Sequence, residues 1–271
     1  MADMTTLWTE PVVRIYQALD GQMRLVGGCV RDFVLGRMPA DIDLAAALPP
    51  KIILKKLKQH HIPCRTVTLK HGVVMASLAG QDFEITSLRH DVYEGRRERI
   101  TFITDYEQDA LRRDFTFNAL SMDRTGKIYD YCDGISDLKN KRVRFIGDPA
   151  QRLWEDALRI YRYVRFWSFF GDEKPDQGII DLFPKLGQNL AFVSVNRRQK
   201  EIFRILMSPR VMESLDLLDK TGVLSYIIPG ADLVSLGRLL AENPMASLAE
   251  RLTRVGNVIT ENERNFENEI K

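Results

Sequence analysis

Asp41 and Asp43 are separated by one residue, and in an extended run an Asp-x-Asp turns both carboxylates to one side of the chain. Paired carboxylates suit hard cations such as Mg²⁺, which complete their shells with water and phosphate oxygens. Two such ions can activate an attacking hydroxyl and stabilise a leaving pyrophosphate. Upstream, the apolar run 23–26 ends in Gly27-Gly28, where missing β-carbons let backbone N–H groups approach an anion. Residues 30–35 read as a helix whose N-terminus faces the same anion. Asp-x-Asp alone is most often a solvated strand face, and Gly-Gly alone a turn. The signal is their joint spacing, with Arg31-Asp32 between them.

Three further groups can do chemistry. Arg112-Arg113-Asp114 precedes the apolar anchor Phe115, Phe117, Ala119 and Leu120. Arg113 can bind a triphosphate, and Asp114 and Asn118 can accept from and donate to ribose hydroxyls; the bland alternative is a surface salt bridge on a helix. Glu155, Asp156 and Arg159 share one face of a helix expected across 152–170, an arrangement ordinarily worth only about 0.2–0.5 kcal/mol per ion pair. Arg162 and Arg165 continue that basic face and can carry triphosphate or RNA phosphates. Glu84 lies in Phe83-Glu84-Ile85, so in a strand it points away from its apolar neighbours.

Three motifs in this order resemble the nucleotidyltransferase superfamily, in its branch of class II tRNA nucleotidyltransferases and bacterial poly(A) polymerases. The resemblance covers residues 25–206 and is strongest at 25–45, 111–120 and 155–166. It implies an α+β fold, with an N-terminal nucleotidyltransferase-type mixed β-sheet head and helices, followed by an all-α neck and a shortened body. It implies template-independent addition of C, C and A to tRNA 3′ ends from CTP and ATP. In that scheme Asp41 and Asp43 bind Mg²⁺, and Glu84 is a third catalytic carboxylate near the metals. Gly27, Gly28 and Arg31 hold the triphosphate. Asp156 and Arg159 match the Watson–Crick edge of the base, a carboxylate supplying acceptors and a guanidinium donors.

Poly(A) polymerases share every motif named, and partial CC-adding or A-adding enzymes would likewise keep Asp41, Asp43 and Asp156, so the motifs do not separate these. A catalytically inactive RNA-binding module is a further class, against which the intact carboxylate pair argues. A metal-dependent phosphodiesterase is another, with no histidine-aspartate metal pair to support it. Two departures stand out. Asp133-Gly134 offers one glycine where the family usually has two and is read as a hinge. Asn196-Arg197-Arg198 follows the candidate cap Ser194 where a Glu-Arg pair is usual.

The rest of the chain must position these groups. Its 271 residues, 45% hydrophobic and 28% charged, exclude wholly disordered and fibrous classes. A net charge of only +2 means that any nucleic-acid role rests on local clusters of Lys and Arg. Cys29, Cys64 and Cys132 are too scattered for a disulfide framework or a zinc site, so reduced thiols are expected. Without a signal-peptide core in 1–20 or a membrane-length apolar run, a soluble cytoplasmic protein is expected, with its oligomeric state left open.

Helices are expected after Thr9-Glu10-Pro11 and across 51–60, the latter with Ile52, Ile53, Leu54 and Leu57 inward. Strands are expected at 41–44, 64–69, 72–78 and 81–88, and a strand pair at 128–133 and 143–146. The polar stretch 90–99 reads as a mobile loop able to close over substrate. From Ala150 onward the pattern is helical, which divides the chain into a head (1–147), a neck (148–208) and a short body (209–271) whose residues 261–271 form a solvated end.

Overall fold

The computed structural model describes residues 6–94, 97–172 and 174–256, so the end at 261–271 lies outside the described residues. Contacts divide the chain into two compact units, Met1–Asn140 with Arg144–Ile146, and Lys141–Val143 with Gly147–Lys271.

The first unit is α+β. Pro11 sits in the first turn of α1 (Glu10–Ala18), where its missing N–H costs nothing, and Val12 and Ile15 face the core. There follow β1 (Met23–Val26), α2 (Gly28–Val34), β2 (Leu44–Ala46), α3 (Pro50–Gln59), β3 (Cys64–Thr68), β4 (Val73–Leu78) and β5 (Gln81–Ser87). The unit continues with β6 (Arg89–Glu94), β7 (Arg97–Phe102), α4 (Tyr106–Leu111), β8 (Ser121–Met122), β9 (Ile128–Tyr129) and α5 (Gly134–Lys139). Seven strands form one mixed sheet in the order β3-β4-β5-β2-β1-β8-β9, in which β2 and β5 are parallel and the other neighbours antiparallel. Ala79 and Gly80, both at positive φ, make the tight turn that pairs Leu78 with Gln81. Buried Leu25, Val74, Phe83 and Ile85 belong to the core on this sheet.

The second unit is helical: α6 (Pro149–Glu155), α7 (Arg159–Phe170), α8 (Gln177–Ile180), α9 (Phe183–Leu186), α10 (Val195–Leu206), α11 (Val211–Lys220), α12 (Leu233–Glu242) and α13 (Leu248–Val255). Helix α7 packs on α10 and α11, burying Tyr161, Val164, Ile202, Phe203 and Leu215. Ser194 stands at the N-cap of α10, but its hydroxyl makes no cap bond.

Several local expectations are corrected. In place of the loop expected at 90–99, β6 pairs antiparallel with β7, Asp91 with Ile100 and Val92 with Arg99; the charges hid an alternation that β-branched residues anchor. Helix α2 begins at Gly28, two residues early. The strand expected at 41–44 starts only at Leu44, although the Asp43 carbonyl still accepts the Val26 N–H at 3.0 Å. Strand β9 pairs with β8, and Phe145 makes only a single bridge to Phe115. Between them Asp130 takes the N–H groups of Gly134 and Ile135 at 2.8 and 2.9 Å and starts α5.

Gly134 is not a dihedral hinge: a β-carbon there would stand 2.4 Å from the Thr116 carbonyl oxygen, so the glycine permits close backbone approach. The helix expected across 152–170 breaks at Asp156, whose φ of −147° and ψ of 102° are extended. On α3, Ile53 and Leu57 are buried while Ile52 faces solvent at 39% exposure.

Candidate nucleotide and metal site

In the first unit the site grows from the end of β1. Gly27 has φ +70°, and its N–H donates to the Leu120 carbonyl at 3.0 Å, so that N–H is committed to the sheet and not to an anion. What Gly27 supplies is space, because a β-carbon would stand 3.1 Å from Arg113 Nη1. Helix α2 opens with the Arg31 N–H bonded to the Gly27 carbonyl at 3.0 Å. The Gly28 and Cys29 N–H groups belong to that first turn, which has no intrahelical acceptors.

Arg31 lies against this turn. Its Nε and Nη2 donate to Asp32 at 2.9 and 3.0 Å, and Nη1 donates to Asn118 Oδ1 at 2.8 Å. Asn118 Nδ2 in turn donates to Asp114 Oδ1 at 3.1 Å, and the same oxygen accepts the Phe115 N–H at 2.9 Å. Both ends of the Asn118 amide are therefore used within the protein, and it orients Arg31 and Asp114. The segment 112–118 is no surface helix: α4 ends at Leu111, and Asp114, Thr116 and Asn118 are buried.

Asp41 and Asp43 lie on the loop that enters β2. The parallel register pairs Leu44 with Ile85, so Asp43, at the entry to β2, and Glu84 on β5 each precede the first residue of that pairing. Although Asp43 reaches solvent, desolvation raises its pKa; the nearby Arg113 and Arg31 pull it down and Asp41 pushes it up. Desolvation also raises Glu84, assisted by the charges of Asp43 and Asp41. Adjoining carboxylates that repel one another are relieved by a divalent cation, so Asp41 and Asp43 fit one. Glu84 lies within electrostatic reach of the pair.

Cys29 went unassigned in the sequence. Its buried thiol donates to the Val26 carbonyl at 3.3 Å and approaches the Asp43 carbonyl at 3.8 Å, tying α2 to the carboxylate loop, and burial pushes its pKa up to about 12. Asp109 was also missed. This buried carboxylate accepts from Arg112 Nε at 2.8 Å and from Arg113 Nη2 at 3.2 Å.

In the second unit Asp156 and Arg159 flank the break between α6 and α7, each with its own partners. Arg159 Nη1 donates to Glu155 Oε2 and to the Arg152 carbonyl, both at 2.8 Å. Asp156 Oδ1 accepts the Leu158 N–H at 3.1 Å, while Oδ2 accepts from Arg197 Nη2 of α10 at 2.7 Å. Arg162 and Arg165 share one carboxylate partner from α10. They meet buried Glu201 at 3.3 and 2.6 Å, and burial lowers Arg165 to about 10 against the pull of that carboxylate. Arg197 and Glu201 could be found in sequence only as polar residues at helical spacing; their partners lie on another helix.

Residues 23–144 match the family of the poly A polymerase head domain, and residues 176–234 match the probable RNA and SrmB-binding site of polymerase A. The mitochondrial CCA tRNA nucleotidyltransferase 1 of Homo sapiens is 35% identical over 234 residues, covering 83% of this chain and 54% of its own length. The CCA-adding enzyme of Geobacillus kaustophilus is 36% identical over 211 residues, covering 76% and 50% respectively. The chain thus spans about half the length of these relatives. Among solved structures, the Bacillus stearothermophilus CCA-adding enzyme in complex with CTP superposes with a TM-score of 0.70 at 29% identity, covering 84% of this chain and 60% of that one. A head with the carboxylate and glycine motifs in place, a helical unit with Glu155, Asp156 and Arg159, and these matches in order along the chain identify it as a member of the family of tRNA nucleotidyltransferases and poly(A) polymerases.

Proposed function

We propose that this chain adds C, C and A to tRNA 3′ ends from CTP and ATP, releasing pyrophosphate. The observation that carries the reading is the placement of the Asp41–Asp43 loop beside the glycine turn: the Asp43 carbonyl accepts the Val26 N–H at 3.0 Å, Arg113 Nη1 fills the space at Gly27, and the charges of Arg113, Asp41 and Arg31 all bear on Asp43. A cation site and an anion site share one edge of the sheet, as a nucleoside triphosphate with its metal requires.

Asp41 and Asp43 would hold Mg²⁺, which when bound supplies charge neutralisation at the α-phosphate and lowers the pKa of the attacking 3′-hydroxyl. Arg31, Arg113 and the first-turn N–H groups of Gly28 and Cys29 bind and orient the triphosphate; such transfer depends chiefly on positioning and charge stabilisation. Asp114 is the ribose acceptor in this scheme, and Asn118 holds it in orientation. Asp156 and Arg159 offer acceptors and donors to the base edge. Glu84 raises the negative potential around the metal pair. We read 148–208 as the neck and 209–271 as a short body, and the tRNA 3′ end as the partner. No described helix is long and apolar enough to cross a membrane. A cytoplasmic location belongs to this reading, although the vertebrate relatives are named as mitochondrial.

The rival is poly(A) addition, which the match of residues 23–144 to a poly A polymerase head favours. Incubating purified tRNA lacking CCA with one labelled nucleotide at a time separates them. Two C additions followed by one A, then arrest, are expected; long A tracts on unrelated RNA would establish the rival.

A further inference from the structure

The arginine beneath the glycine turn is held from behind. Arg113 Nε and Nη2 donate to Asp109 Oδ2 at 3.4 and 3.2 Å, and Nη1 donates to the Asn118 carbonyl at 3.2 Å. The other Asp109 oxygen accepts the Arg89 N–H at 3.1 Å and Arg112 Nε at 2.8 Å. Arg112 reaches Asp91 on β6 at 3.4 Å, and Asp91 is paired with Arg89 at 3.0 Å. One carboxylate, only 3% exposed, therefore joins the β6–β7 hairpin to the guanidinium that fills the space left by Gly27.

Burial alone would favour protonated Asp109, but Arg113 and Arg112 outweigh it and hold the carboxyl below its ordinary value. Asp109 is thus a fixed negative charge at neutral pH. Asp109 grips one edge of the Arg113 guanidinium and the Asn118 carbonyl holds Nη1, so three bonds define where that cation stands beside Gly27. A triphosphate arriving at the open end of α2 meets an arginine already in place, with less side-chain freedom left to lose.

Resting on the nucleotidyl-transfer reading above, we propose that Asp109 is the positioning residue for Arg113: it presents that guanidinium to the triphosphate and ties its placement to the β6–β7 hairpin. Whatever Asp109 does for triphosphate binding passes through Arg113, while its bonds to Arg112 and Arg89 serve the hairpin. Its effect on KM for CTP should therefore be non-additive with loss of Arg113, whereas a general structural loss would add to it.

The test is a double-mutant cycle of Asp109→Asn and Arg113→Lys in the full chain, read as KM and kcat for CTP incorporation into tRNA lacking CCA. Asp109→Asn is expected to raise KM for CTP about tenfold with a smaller change in kcat, the scale of one charge-assisted contact. In the Arg113→Lys background the same change should have little further effect. An unaltered KM in Asp109→Asn, or independent multiplication of the two effects, overturns the proposal. Should Asp109→Asn fail to fold, Asp109→Glu, which keeps the charge and displaces it, enters the same cycle with the same two outcomes. Binding of inorganic tripolyphosphate by calorimetry separates this inference from the wider reading. If wild type adds neither C nor A yet binds tripolyphosphate, and Asp109→Asn weakens that binding, the nucleotide-adding function fails and the positioning role stands. If wild type adds nucleotides and Asp109→Asn binds tripolyphosphate as tightly as wild type, the positioning role fails alone.

Discussion

Arg197 of α10 donates to Asp156 at 2.7 Å, so the carboxylate assigned to reading the incoming base already has a protein donor. The bond joins two elements remote in sequence and lies near the surface, with the Arg197 side chain 54% exposed. An exposed pair of this kind adds little stability, so in the proposed reading its consequence is orientation: with Oδ1 accepting the Leu158 N–H, the bond from Arg197 to Oδ2 sets the plane of the Asp156 carboxylate.

Arg197→Ala should therefore leave the melting temperature almost unchanged while loosening base choice. The expected result is roughly a tenfold rise in misincorporation of UTP or GTP relative to CTP and ATP, the scale of one charged hydrogen bond. Wild-type selectivity in a single-nucleotide incorporation assay would mean that Asp156 is oriented by its own backbone contact with Leu158 instead.

Asp41→Ala removes one of the two carboxylates that fit a divalent cation. Incorporation should fall roughly 10³-fold with tRNA binding largely intact, since charge stabilisation at the reacting phosphate is lost while phosphate contacts elsewhere remain. Glu84→Gln should cost far less, because in the proposed reading Glu84 acts on the pair through its charge. Rapid-quench measurement of both variants over a Mg²⁺ titration checks the order; equal losses would make Glu84 a direct ligand.

These features differ in how far the chain itself reveals them. Whereas the strand read across Asp41 and Asp43 begins only at Leu44, the turn at Gly27 and the outward face of Glu84 are legible because each depends on local geometry, a turn or a strand alternation. The break at Asp156 is not, because apolar residues on both sides keep a helical period that continues through it; only the side chain, bonding the Leu158 N–H, reveals a restart of the helix. The hairpin at 89–102 was masked by its charges. Two of those charges are internal partners: Asp91 meets both Arg89 and Arg112. Arg162 and Arg165 looked like a solvent-facing basic stripe because their neutralising carboxylate, Glu201, arrives from a helix that sequence spacing cannot bring near.

Glu201→Ala would strand that buried guanidinium. Loss of one partner of a buried ion pair costs about 3–5 kcal/mol, and a fall of that size in urea-unfolding free energy is expected. Combining Glu201→Leu with Arg165→Met should recover most of it, since apolar replacement of a whole pair is often neutral. If the double variant is as unstable as Glu201→Ala, Arg162 and Arg204, the other cations around Glu201, carry the interaction.

Gly134→Ala distinguishes a packing glycine from a hinge. The added methyl would meet the Thr116 carbonyl oxygen at 2.4 Å, which the backbone can relieve only by moving, at a cost of about 1–3 kcal/mol. Lowered thermal stability with normal turnover in the folded fraction is expected. Normal stability with slowed turnover would restore the hinge.

Glu155 adds a pH dependence whose sign follows from its partners. Burial pushes its carboxyl up, but hydrogen bonds from Arg159 and Arg152 overcome this and hold it below the ordinary value of 4.5. Between the folded value and 4.5 the unfolded chain binds more protons than the folded one, so stability rises with pH across that window. The contribution is complete above 4.5 and disappears as pH falls through the folded value. Glu155→Gln should lower stability at pH 7 and flatten the acid limb between pH values of about 5 and 3, as followed by urea unfolding at each pH. The same variant removes the carboxylate against which Arg159 is braced, so base selectivity should weaken at every pH. An acid limb as steep as in wild type would show that other carboxyls dominate it.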